Sequence, residues 1–149
     1  MNGLLLKLAI IAAAGSLLCS SPIGAQILPP QKSAEHVAIV QEPTLETAHD
    51  GLAILRWTST NPGGDDDHFA VVHYGTDPND LSQTAKSHIR LNRGHAETIF
   101  RVRMNGLKPQ TTYYYKVTSM GAGGENDGVE SPVNQFTTPA PGERYPQPK

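Results

Sequence analysis

Leu107-Lys108-Pro109-Gln110-Thr111-Thr112-Tyr113-Tyr114-Tyr115-Lys116-Val117 is the stretch on which the fold turns. It reads as a turn closed by a proline, followed by a strand with three consecutive tyrosines. Alternation puts Tyr113, Tyr115 and Val117 on one face and Thr112, Tyr114 and Lys116 on the other. A buried phenol needs a hydrogen-bond partner, and a tight turn leaves backbone groups able to supply one. The expectation is a tyrosine hydroxyl tied back to the preceding turn.

Outward from this stretch the chain reads as short strands separated by turn signals. Residues 37–40 form an apolar run. Residues 53–58 alternate, with Ala53, Leu55 and Trp57 inward, and Trp57 is the sole tryptophan. A loop over 58–67, marked by Asn61-Pro62-Gly63-Gly64 and three aspartates, leads into a strand over 68–74. Ala70, Val72 and Tyr74 of that strand should face the core, leaving Phe69, Val71 and His73 on its other side. A turn cluster over 75–80 precedes a polar connection over 81–91 containing a short edge strand. Residues 98–104 place Phe100, Val102 and Met104 inward and Arg101 and Arg103 outward. Residues 121–128, rich in glycine, read as a mobile loop, and 133–138 as a closing strand with Phe136 inward. The tail from Pro139 carries prolines at 139, 141, 146 and 148 and should be extended and unpacked. Seven short strands without a helical pattern predict an all-β, antiparallel immunoglobulin-like sandwich.

Trp57, Tyr74, the Leu107-x-Pro109-x-Thr111-x-Tyr113-x-Tyr115-x-Val117 corner and the closing Phe136-Thr137-Thr138-Pro139 resemble a fibronectin type III domain over residues 34–139. Within that superfamily, Val72-His73-Tyr74-Gly75-Thr76 and the corner look most like the N-terminal domain of purple acid phosphatases. The resemblance implies a fibronectin-like accessory module, which in that family precedes a dinuclear metallophosphatase domain. Two-metal chemistry needs carboxylates, an amide and imidazoles converging on metals ~3.5–4 Å apart. The family's G-D-x-x-Y and G-N-H segments are missing from this sequence. Asp66-Asp67-His68 matches D-x-H within an acidic loop, and Gly94-His95-Ala96-Glu97 fails G-H-x-H at its last position. No phosphatase activity, and no enzyme of any kind, is expected.

The ends and the charge balance bound the role. Residues 1–25 resemble a secretory signal, with Lys7 before an apolar run and Ile23-Gly24-Ala25 at the cut. The run is shorter than the ~20 residues of a transmembrane helix, so no stable membrane insertion is expected after cleavage. Leu18 precedes Cys19, where a lipoprotein site takes Gly, Ala or Ser, which argues against a lipid anchor through Cys19. Residues 26–33, with Pro29-Pro30, read as a linker, and 140–149 as a Pro-rich tail. The mature chain would carry 11 basic and 14 acidic residues and no cysteine. Its net charge of −3 gives nucleic-acid binding no bulk support, and its core must hold without disulfides.

Other chemistry finds little footing. The three aspartates at 65–67 lack the spacing of a calcium loop, and the six histidines lack zinc spacing, so no metal or cofactor is expected. Five of those histidines read as polar surface or loop residues. No G-x-S-x-G elbow or phosphate loop is present. The outer face of the sheet corresponding to strands C, F and G of the family is more suggestive. Phe69, Val71, His73, Tyr114 and Lys116 should share it, an apolar and aromatic surface with a cation nearby. Arg56, Arg101 and Arg103 should line the opposite outer face, as a small basic stripe. The expected function is a secreted, extracellular or periplasmic module for protein interaction or adhesion. The alternative is an accessory module of an extracellular hydrolase system, docking to an enzyme or binding polysaccharide.

Overall fold

The computed structural model describes residues 37–61, 67–91 and 94–145. Signal peptide, linker and the Asp65-Asp66 pair therefore lie outside the described residues. No helix occurs among the described residues, and none is long and apolar enough to cross a membrane.

β1 (Ile39–His49) and β2 (Leu52–Thr60) form a hairpin through Asp50-Gly51, both with left-handed φ of 44° and 76°. Asp-Gly is the residue pair that such a two-residue turn favours, because its twist matches that of the strands. β3 (Asp67–Gly75), β4 (Gln83–Arg90), β5 (Glu97–Met104) and β6 (Thr112–Gly121) follow. β7 (Asn126–Glu130) and β8 (Asn134–Thr137) are successive partners of β6, and β9 (Arg144–Tyr145) ends the described chain. One sheet runs β5-β2-β1-β9; the other runs β4-β3-β6-β7, with β8 also on β6. β5 and β6 lie in different sheets, so the corner between them crosses the sandwich, as expected. The fold is the fibronectin type III arrangement of an immunoglobulin-like sandwich.

The inward faces match the alternation. Ala53, Leu55, Trp57, Ala70, Val72, Tyr74, Phe100, Val102, Met104, Tyr113, Tyr115, Val117 and Phe136 all belong to one buried cluster. Trp57 stacks on Phe100 across paired strands at 5.4 Å, and Phe136 lies 5.9 and 5.8 Å from Tyr113 and Tyr115. At the corner the Tyr113 hydroxyl accepts a hydrogen bond from the Lys108 amide at 3.0 Å. Leu107, one residue earlier, donates its amide to the Gly51 carbonyl at 2.9 Å, docking the corner on the β1–β2 turn.

Four expectations need correction. The polar residues after Pro43, which read as a connection into the next strand, continue β1 to His49, with register shifts around Gln41, Thr44 and Leu45. Those shifts let Pro43 sit within an edge strand, where a missing N–H is tolerated. The connection over 81–91 is mostly strand, eight residues paired without interruption to β3. The glycine-rich stretch read as a mobile loop holds β7, which folds back on β6 and buries Val129. The tail is not wholly unpacked, since Arg144 and Tyr145 pair with His49 and Ala48 at the edge of β1.

Candidate interaction surface

The outer face of the five-stranded sheet is built by register. On β3, Phe69, Val71 and His73 point away from the core, and β6 sets Met120, Thr118 and Lys116 opposite them. β4 sets His88, Lys86 and Thr84 on their other side. Tyr114 lies opposite Gly75, a position without a side chain. The structure thus brings Phe69, His73, Tyr114 and Lys116 together on one face, each of them partly exposed.

Val71 differs from expectation. It is on this face, yet 0% exposed. Lys86 and Thr118 flank it on the neighbouring strands, so its short side chain lies between theirs at the centre of the sheet. It supports the face and offers no surface to a partner. Phe69 is also partly spoken for, packed edge-on against His88 at 5.5 Å, and His88 in turn reaches Asp67 at 3.2 Å.

Between the Asp77–Asp80 turn and β7 this face sinks into an open cleft of about 600 Å³. His73, Lys116 and Thr118 line it, with Pro78 and Leu81 on one side and Glu130 on the other. His73 Nε2 lies 3.2 Å from Thr118 Oγ1, and Lys116 Nζ donates to Glu130 at 3.0 Å. Burial, then the neighbouring Lys116 charge, push the His73 imidazole below its ordinary value. At neutral pH the cleft therefore holds a neutral imidazole beside an ion pair. The cleft thus presents an imidazole, a hydroxyl, an ammonium and a carboxylate side by side.

Sequence reasoning missed Met120 and Glu130 on this surface. Met120 was legible, since it shares the alternation of Tyr114 and Lys116. Glu130 was not, because it follows a stretch of glycine, asparagine and aspartate without any strand signature.

The arginine stripe of the other sheet is broken up. Arg56 and Arg101 are cross-strand neighbours, but Arg101 is bound to Glu46 at 2.7 Å and Arg103 to Asn105 Oδ1 at 2.9 Å. His68 has the inward alternation of β3 and is 3% exposed. Among the described residues, no group of three or more His, Cys, Asp or Glu is arranged to hold a metal ion.

The purple acid phosphatase N-terminal domain model matches residues 43–138, nearly the whole sandwich. The chain belongs to this family. The matched range includes both the corner and the Val72–Thr76 segment. No curated protein matches the chain. Among solved structures it is similar to the sensor domain of the anti-sigma factor RsgI4 in Pseudobacteroides cellulosolvens, at 23% identity and TM-score 0.46, covering 70% of this chain and 89% of that one. It is also similar to a fibronectin type III domain of the human KIAA0970 protein, at 18% identity and TM-score 0.48, covering 74% and 79%.

Proposed function

We propose that this purple acid phosphatase N-terminal domain protein is a secreted, non-catalytic module that binds an extracellular or periplasmic protein through the outer face of its five-stranded sheet. The observation that carries the reading is the cleft beside Tyr114. His73 and the Lys116–Glu130 ion pair line an open concavity of about 600 Å³, on the face that also carries the half-buried Tyr114. Partner surfaces favour this mixture, an aromatic anchor within a rim of polar groups.

The test is capture from the source organism's secreted and envelope fraction, followed by direct titration of whatever partner is recovered. Phe69→Ser/Tyr114→Ser should keep the fold, because neither side chain enters the core, and should abolish binding. Equal affinity of parent and double variant sinks this face as the site.

Family membership favours a second reading, in which the same face docks on a separate hydrolase. Co-elution of the protein with a metallophosphatase, lost in the double variant, would support it. Turnover of a simple phosphate ester by the purified chain, dependent on added metal, would overturn both readings.

A further inference from the structure

A second cleft, of about 570 Å³, opens on the other sheet. Gln41, Arg56 and Ile99 line its sheet side; Arg90 at the end of β4, with His95 and Glu97 at the start of β5, lines the other. Arg56 is placed differently from Arg101 and Arg103 of the neighbouring β5. Register sets it directly opposite Arg101, an unfavourable like-charge pair that Glu46 relieves only on the Arg101 side. The Arg56 Nε is buried and has no hydrogen-bond partner among the described residues. A buried donor of a charged group left without an acceptor is costly, more so than a neutral one. Gln41, a neutral acceptor lining the cleft, spends its Oε1 on the Thr58 hydroxyl at 2.8 Å.

The rest of the lining narrows what would supply that acceptor. Two guanidiniums favour a carboxylate or another oxyanion, which they bind with paired hydrogen bonds. Glu97 shares the cleft and repels a ligand made of acceptors alone, such as sulfate or phosphate. It is suited by a ligand that carries hydroxyl donors next to its acid group. Ile99, 50% exposed, adds an apolar patch of the kind a sugar ring's C–H face can cover. We infer that this cleft binds a uronic acid unit of an acidic polysaccharide, with Arg56 and Arg90 on the carboxylate and Glu97 on the ring hydroxyls. The site is separate from the surface proposed above and does not depend on it.

The experiment titrates the purified protein with trigalacturonate and with its methyl ester, which keeps the sugar and removes the charge, by calorimetry at low salt. The acid should bind at least about tenfold more tightly than the ester, the loss expected for a charged hydrogen-bonded pair. Arg56→Gln and Arg90→Gln should each weaken the acid by about tenfold, while Arg103→Gln, outside the cleft, should stay within about twofold. Thermal unfolding of each variant separates lost binding from lost folding, and Arg90→Gln, at the end of β4, keeps the test open if Arg56→Gln unfolds. Equal binding of acid and ester overturns the inference, as does unchanged affinity in both glutamine variants. Inorganic sulfate bound as tightly as trigalacturonate, or no binding of trigalacturonate at all, overturns it too.

Discussion

The hydroxyl of Tyr115 donates to the carbonyl oxygen of Pro43 at 3.1 Å, joining the five-stranded sheet to β1 of the facing sheet. Pro43 lies where the β1–β2 register slips between Gln41 and Thr44, so its carbonyl looks to a side chain and not to the ladder. Tyr115→Phe keeps the ring packed on Phe136 and strands a buried acceptor. The expected cost is ~1–2 kcal/mol, or about 5–10 °C in thermal unfolding. Tyr113→Phe, which frees the Lys108 amide at a more exposed corner, should cost less. The reverse order would show that the corner, not the inter-sheet bond, carries more stability.

The same tyrosine should make the fold sensitive to alkali. Burial, and secondarily Glu42, push the Tyr115 phenol up to about 12. The folded state then holds this proton more tightly than the unfolded chain, whose phenol titrates near ~10. The contribution is fully present below pH ~10 and is lost as pH rises towards ~12, with a total on the order of 2–3 kcal/mol. Denaturant midpoints between pH 9 and 12 should fall more steeply for the parent than for Tyr115→Phe. Parallel curves would refute the assignment.

His73 should titrate below the ordinary histidine range, since burial and then Lys116 lower its affinity for a proton. Its folded value lies below the unfolded one, so its contribution to stability is present above pH ~6.5 and lost as pH falls through the folded value. Imidazole resonances followed by NMR give the midpoint directly. Lys116→Met should raise that midpoint part of the way and no further, because burial, the larger cause, persists. A midpoint unchanged by the substitution would remove Lys116 from the account.

Gly75 leaves no room for a side chain. A Cβ there would lie 2.1 Å from the Asp80 carbonyl oxygen, inside the turn that walls the first cleft. Gly75→Ala should cost ~2 kcal/mol or more, by forcing backbone apart where overpacking cannot relax through a rotamer. Chemical denaturation reads the loss, and amide exchange at Asp77 to Asp80 should rise with it. A variant as stable as the parent would mean that this turn moves freely.

The legible part of this fold was the part buried on one side only. Wherever a strand has one face in the core, burial writes a two-residue alternation, and Leu55, Val72, Val102 and Val117 were each assigned their correct face. The elements missed are those with little to bury. β7 contributes Val129 alone amid Asn126, Asp127 and Gly128, residues that disfavour strands, so only its partner β6 makes it one. β9 contributes no core residue and is defined by backbone pairing to β1. The Asp50-Gly51 hairpin was readable from its turn pair, but Pro43 masked the strand before it. For the candidate surface, alternation placed Tyr114 and His73 on one face. It could not say that Val71 would be covered, because coverage depends on its neighbours on two other strands.

The slips in β1 and the unbroken pairing of β4 have opposite consequences for how copies of this molecule meet. An edge with irregular register and a proline is a poor template for another strand, so β1 is guarded by its shape. β4 pairs in register along all eight residues with β3, and its outer side carries Lys86, His88 and Arg90. That edge is guarded by charge. Salt that screens those side chains leaves the guard at β1 as it was and weakens the one at β4.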